Sequence, residues 1–351
     1  MTEVAKRTAI QTIVVIAIVV VSLALWKIRL VVGLIFAAMI IAAAIRPGVD
    51  WLQRMRVTRV VGVLLHYAIL IGLIALALSF AAPAALHEVD HALSPSGKAE
   101  IAHAAKHSTG IKHQVLTALQ RRLRNLPKAS HFVGPAVSAG RVAFEVLIGL
   151  FFMLAAAAYW IFERDKTIDV VTGLLPRPKR KLVRDTWQLI DLRLGAFVRG
   201  QVLLILAVGL VLSLLFWAIG EPYWILVGSS AGLLEVIPVI GPLSAGLIAV
   251  AVGFTSSITV AALAAGCVLG VRLIEDYFVM PKVLGEAVGL SPLLVLVSVT
   301  SIGILFSGWA VLFAVPIAAV AVTLFDVILR DVDPAEEETP AVIFSAKEAE
   351  T

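Results

Sequence analysis

Charge is scarce in this sequence. Only 15% of its 351 residues are Asp, Glu, Lys or Arg, against about 25% in a soluble domain. That excludes an ordinary cytoplasmic enzyme, a disordered chain and a nucleic-acid binder. Cysteine is scarcer still. Cys267 is the single one, so neither an internal disulfide nor a cysteine-based zinc site can form. The phosphate-cradling pattern G-x-x-x-x-G-K-[ST] does not occur, which argues against ATP-driven pumping by this chain. No cofactor is expected. What fills the sequence instead is apolar: 60% hydrophobic residues and a mean hydropathy of +0.99. The expected class is an all-α, polytopic integral membrane protein.

A helix needs roughly 20 apolar residues to cross a bilayer. Five stretches qualify: about Ile10 to Trp26, Leu30 to Ile45, Val60 to Ala82, Val142 to Phe162 and Val202 to Ile219. The first has a basic flank and an apolar core, as a signal peptide would. No small-residue cleavage site separates it from the second, so the two are read as a retained helical hairpin. Lysine and arginine near span ends set orientation. The link 46–59 holds four arginines, and the link 163–200 holds nine basic residues, including Arg177-Pro178-Lys179-Arg180-Lys181. Both fall on one side, taken as cytoplasmic together with the N- and C-termini. The segment 83–141 then lies outside. Its eight basic residues weigh little, because long loops follow the rule poorly.

After Ile219 the spacing changes. Pro222 to Phe254 is too long for one span and is broken at its middle by Ile237-Pro238-Val239-Ile240-Gly241-Pro242. Proline removes a helix donor and clashes with the preceding turn, and broken backbone at membrane depth survives only where protein or a wet cavity satisfies it. A kinked helix pair and a re-entrant hairpin lining a pathway both fit. One span follows, about Ile258 to Met280. Ser291 to Leu329 is again overlong, with breaks expected at Gly303, Ser307-Gly308 and Pro316. The last third therefore reads helix, broken hairpin, helix, broken hairpin, in opposite orientations: an inverted repeat, whose interrupted segments point to a transport site. The expected organisation is 1–82 for the first three spans, 83–141 for an extracytoplasmic amphipathic helical insertion, 142–200 for the fourth span and a cytoplasmic amphipathic helix, 201–330 for the inverted-repeat core, and 331–351 for an acidic disordered tail.

Charges inside spans are costly and mark pathways or pairs. Glu235 stands three residues before Pro238, where a carboxylate can accept from freed backbone donors or bind a proton or cation. It would equally suit a helix end at the interface. Arg272, Glu275 and Asp276 share one helix face at i, i+3 and i+4, as a gate, a structural lock or an interfacial anchor. Glu145 and His66 read as interfacial or packing residues. Six of the seven histidines lie in the outer segment. There His87-Glu88-Val89-Asp90-His91 matches H-E-x-x-H, the pattern of two zinc ligands and a general base. A zinc hydrolase, an adventitious metal site, a pH sensor and a solvated helix face are the readings it allows. Val115, Leu119, Leu123 and Leu126 recur at helical spacing in the same segment. Val183, Trp187, Ile190, Leu194 and Phe197 form a heptad-like stripe, suited to a lipid interface or to a homo-oligomer contact.

Four segments resemble the autoinducer-2 exporter family of bacterial membrane permeases. Leu194 to Gln201 (LGAFVRGQ) is similar to the family's lead into a Gly-Gln at a span start. Ala231 to Pro242 (AGLLEVIPVIGP) resembles its I-P-x-I-G-P hairpin. Ile274 to Pro292 (IEDYFVMPKVLGEAVGLSP) resembles its acid-rich helix end and following proline, and Gly308 to Pro316 (GWAVLFAVP) its final hairpin. The likeness covers about residues 190–325. It implies secondary transport of a small polar solute across the cell (inner) membrane, such as autoinducer-2 export or sodium–proton antiport. The residues expected to carry it are Gln201, Glu235, Pro238, Gly241, Pro242, Arg272, Glu275, Asp276 and Gly308, with membrane lipid and a proton or sodium ion as partners and no nucleic acid.

Overall fold

The computed structural model describes residues 3–72, 133–238, 240–279, 290–306 and 308–337, with isolated helical positions at 75, 79 and 103. The H-E-x-x-H run and most of the outer segment lie outside these residues, as do 281–289 and 338–351. The described chain consists of helices and short turns, and six of its helices are long and apolar enough to cross a membrane. The protein is an all-α, multi-pass membrane protein. Its helices are α1 (Glu3–Lys27), α2 (Arg29–Arg54), α3 (Arg59–Gly72), α4 (Val133–Gly173), α5 (Arg177–Ala218), α6 (Trp224–Leu234), α7 (Ile240–Ser256), α8 (Ile258–Ile274), α9 (Pro292–Phe306) and α10 (Ala314–Leu329). A π-helical turn, Glu275–Val279, extends α8, and a 3-10 segment, Gly308–Phe313, leads into α10.

The first two helices are not a hairpin. Helical bonds from Ile28 N–H to Ala24 O and from Val32 N–H to Ile28 O, both 3.1 Å, bracket the joint, and the two helices share few contacts beyond it. A helical hairpin needs a connecting loop of about 2–5 residues. Ile28 alone bends the axis without reversing it. α2 then runs through Pro47. Proline leaves the carbonyl four residues back without its helical donor, here Ala43. Gly195 of α5 packs so closely on that carbonyl that a side chain would collide with it, and Arg199 Nη1 donates to the next one, Ala44 O, at 3.2 Å.

The fourth and fifth spans belong to longer helices than their apolar runs indicate. α4 has 41 residues and α5 has 42, about 62 and 63 Å at 1.5 Å per residue, roughly twice the hydrocarbon thickness. Their charged ends pair alongside each other. Arg164 Nε donates to Asp191, both buried, and Arg184 Nη2 donates to Asp169 Oδ1 at 2.6 Å. Trp160 stacks on Trp187 with ring centroids 5.9 Å apart. Trp187 and Leu194 of the heptad-like stripe thus find partners within the chain, Leu194 packing with Ile40 and Ala43 of α2, in place of the lipid or oligomer contact expected. The tail expected to be disordered starts tied down: Arg193 donates to Thr323 Oγ1 and to Glu337 Oε2, each at 2.8 Å.

The main core joins α5, α6, α7, α8 and α10 through Leu204, Val208, Leu212, Phe216, Val227, Ala231, Ala245, Ala249, Ala264, Val315 and Ala319. Small residues set the spacing. Gly228 and Gly232, one helical turn apart on α6, lie against Ser213 and Gly209 of α5. This is the small-x-x-x-small device that lets membrane helices approach backbone to backbone. Both overlong segments are broken as expected, the first at 235–238 and the second at the 3-10 segment. Gly303 is not a break: α9 runs through it, and its bare Cα lets Val311 pack close. Pro316 falls in the first turn of α10, where no helical donor is lost.

Candidate functional site

The break after α6 is built by its sequence. Glu235 ends the helix and Ile237 N–H closes a last turn on Leu234 O at 3.0 Å. Pro238 then stops it. Gly241 N–H returns to Ile237 O at 2.8 Å. Gly241 presses against the Leu234 carbonyl so closely that any Cβ would overlap it. Pro242 sits in the first turn of α7, which spares the helix a missing donor. From α5, the Gln201 amide reaches across and donates to the Glu235 main-chain carbonyl at 2.9 Å. Protein groups thus satisfy the backbone of the broken turn, as broken backbone at membrane depth requires. Gly241→Ala is expected to open this turn and to lower the detergent-solubilised chain's melting temperature by about 1–4 °C, roughly 1–3 kcal/mol of overpacking in a chain of this length; melting curves check it.

The Glu235 carboxylate is 6% exposed and points toward α8. Arg272 Nη1 lies 3.8 Å from Glu235 Oε2 and 3.2 Å from Glu275 Oε1. Its other edge grips Asp276 with two bonds, Nη2 to Oδ1 at 3.0 Å and Nε to Oδ2 at 3.1 Å. One guanidinium therefore serves three carboxylates. Glu275 is buried, with 4% of its side chain exposed, whereas Asp276 beside it has 44%. These acids open the π-helical turn, a rare irregularity that recurs at functional positions. The sequence places Arg272, Glu275 and Asp276 on one face. The added partner, Glu235 from the other broken element, comes only from the fold.

The second hairpin reaches the site by apolar contact. Ile237, at the first break, packs on Val299, Ile302, Ala310, Val311 and Ala314 around the second, so the two breaks meet. Gly308 opens the 3-10 segment with free space where its Cβ would be, and no described hydrogen bond or ion pair joins it to the Arg272 group. Of the residues expected from the sequence, Gln201, Glu235, Pro238, Gly241, Pro242, Arg272, Glu275 and Asp276 form one neighbourhood, and Gly308 stands at its apolar side. His87 and His91 lie outside the described residues. His66 packs its ring against Gly48 of α2, with Nδ1 2.8 Å from Gly62 O. Glu145 pairs with Arg141 at 2.9 Å on an exposed face.

The sequence pattern of the AI-2E family transporter matches residues 13–330, most of the chain. The protein belongs to the AI-2E transporter family. This AI-2E transporter is 22% identical over 305 residues to a Bacillus subtilis (strain 168) protein named "Putative transport protein YrrI", covering 83% of this chain and 86% of that one. It is 24% identical over 303 residues to "Putative transport protein MT0215" of Mycobacterium tuberculosis (strain CDC 1551 / Oshkosh), covering 84% and 82%. A second Bacillus subtilis protein, "Putative transport protein YueF", is 29% identical over 137 residues, 39% of this chain. The family makes the protein a membrane permease and not an enzyme. Glu221 and the Arg164–Asp191 pair are buried ionisable positions that the sequence did not single out.

Proposed function

We propose that this transporter exports a small polar solute, such as autoinducer-2, across the cell (inner) membrane, and that a proton or cation gradient drives it. The observation that supports this reading is the excess of acid at the first break. Three carboxylates share one guanidinium, so the group carries a formal surplus of two negative charges unless it takes up protons or cations. Burial of Glu235 and Glu275 makes that surplus costly. Uptake and release of a cation or proton would therefore change the electrostatics of the joint between two broken elements, which is what an alternating-access core needs. The basic links 46–59 and 163–200 are assigned to the cytoplasm with the C-terminus; the expected cytoplasmic N-terminus relied on an α1–α2 hairpin, which the unreversed joint at Ile28 removes.

The same surplus supports a second reading, sodium–proton antiport. Flux in proteoliposomes separates the two. Solute efflux that follows a pH or sodium gradient favours export. Sodium flux against protons without solute favours antiport. Glu235→Gln keeps the side chain's size but removes its charge. The expected result is transport at less than about one-tenth of the wild-type rate, or a rate that no longer varies with pH and sodium. Unchanged dependence on both would remove Glu235 from the mechanism.

A further inference from the structure

Glu221 is the most deeply buried carboxylate described. Its residue is 2% exposed, and neither Oε1 nor Oε2 has a hydrogen-bond partner. It follows Gly220, whose φ of +71° turns the chain after α5, and its N–H closes that turn on Phe216 O at 2.9 Å. The side chain is directed into the joint between α7 and α8. A Cβ on Gly253 of α7 would stand 3.1 Å from Glu221 Oε2 and 2.8 Å from Ala261 Cα of α8. The pocket is thus cleared by a glycine and walled by apolar helix.

Among the described residues, the groups around it do not neutralise a charge. The last four turns of α5, all of α6 and all of α7 contain no Asp, Glu, Lys, Arg or His. On α8 the titratable groups are the Cys267 thiol and Arg272, and Arg272 stands at the far end with Glu235. Tyr223 lies in Glu221's own loop. An ionised carboxylate without a partner in apolar packing is strongly unfavourable, and such a group takes up a proton instead. A metal cation would need several oxygen ligands, and among the described residues no cluster of three or more His, Cys, Asp or Glu side chains stands ready to hold one.

We propose that Glu221 is a second protonation site of the transport core. It is a neutral acid locked between α5, α7 and α8, and it releases its proton only when this end of the α6–α7 hairpin loosens. Glu221 and Glu235 then bracket α6, whose 11 residues span about 16 Å, with one proton-exchanging carboxylate at each end of the moving arm. The use of this site in transport rests on the permease reading. Its protonation does not, and the test needs no solute.

The test is the melting temperature of the full chain in detergent from acid to alkaline pH, for wild type, Glu221→Gln and Glu221→Met, alongside the infrared carbonyl band of protonated carboxylic acid. A proton held more tightly in the folded than in the unfolded state stabilises at low pH, and that contribution is lost as pH rises. Wild type and variants should therefore lie close together in acid, and the wild type should fall relative to both variants by about 3 °C or more as pH rises. Part of the carboxylic-acid band should vanish in Glu221→Gln. If the Gln variant does not fold, the Met variant carries the same comparison. Parallel melting curves with an unchanged infrared band would overturn the proposal. So would failure of both variants to fold in acid, since a neutral acid without partners should be replaceable.

Discussion

Arg272→Ala is expected to cost stability toward the lower end of the about 3–5 kcal/mol that follows loss of one partner from a buried ion pair. The cost comes from what remains. Glu235 and Glu275, at 6% and 4% side-chain exposure, would face each other without a cation. The guanidinium itself is 29% exposed, and that moderates the figure. Double-mutant cycles on melting in detergent apportion it. Arg272 with Glu275 should show a coupling of about 1–3 kcal/mol. Arg272 with Asp276 should show about 0–1 kcal/mol, although Asp276 has the better geometry, because its side chain is 44% exposed. Removing both Arg272 and Glu275 should recover folding and leave transport impaired. Near-zero coupling to Glu275 as well as to Asp276 would reduce the cluster to a solvated helix end.

Gly232→Leu should be more damaging still. A Cβ there would stand within 2.6 Å of Gly209 Cα, so the obstacle is backbone, which cannot rotate away. Forcing α5 and α6 apart would expose the seam holding Leu204, Val208, Val227 and Ala231. The expected loss is about 3 kcal/mol or more, read as loss of the monodisperse peak in size-exclusion chromatography. Gly266→Ala is the internal comparison. Its Cβ would meet nothing within 4 Å, and replacing a mid-helix glycine should gain about 0.5–1 kcal/mol. If both substitutions behaved alike, the close α5–α6 approach would be wrong.

The breaks and the charged face could be read from the sequence because they are local. Pro238, Gly241 and Pro242 interrupt a helix wherever it is placed, and a spacing of three and four residues puts Arg272, Glu275 and Asp276 on one face before any tertiary contact forms. Features set by distant partners were not legible. Glu221 stands between a glycine and a proline and looks like a surface loop. Its burial is decided by Gly253 and Ala261, which arrive from two later helices. The Arg164–Asp191 pair sat in links expected to be solvent-facing, because apolar runs mark where a helix is in lipid and not where it ends. Gly303 misled for a related reason: a glycine in an apolar helix marks a break or a close neighbour, and only the position of Val311 decides which. The Gly228-x-x-x-Gly232 spacing, by contrast, was a usable signal for the α5–α6 contact.

Helices α4 and α5 extend well beyond the length a bilayer requires, and their polar ends are clamped together by Arg164–Asp191, Arg184–Asp169 and the stacked Trp160 and Trp187. Arg180 secures the tip by donating to Gly173 O and Leu175 O. A small membrane protein wrapped in detergent offers electron microscopy few landmarks by which to orient its images. This braced helical pair is one such landmark. It is also a rigid epitope on which to raise antibody fragments, placed on the opposite end of α5 from Glu221, so that bound fragments would report orientation without blocking that end of the core.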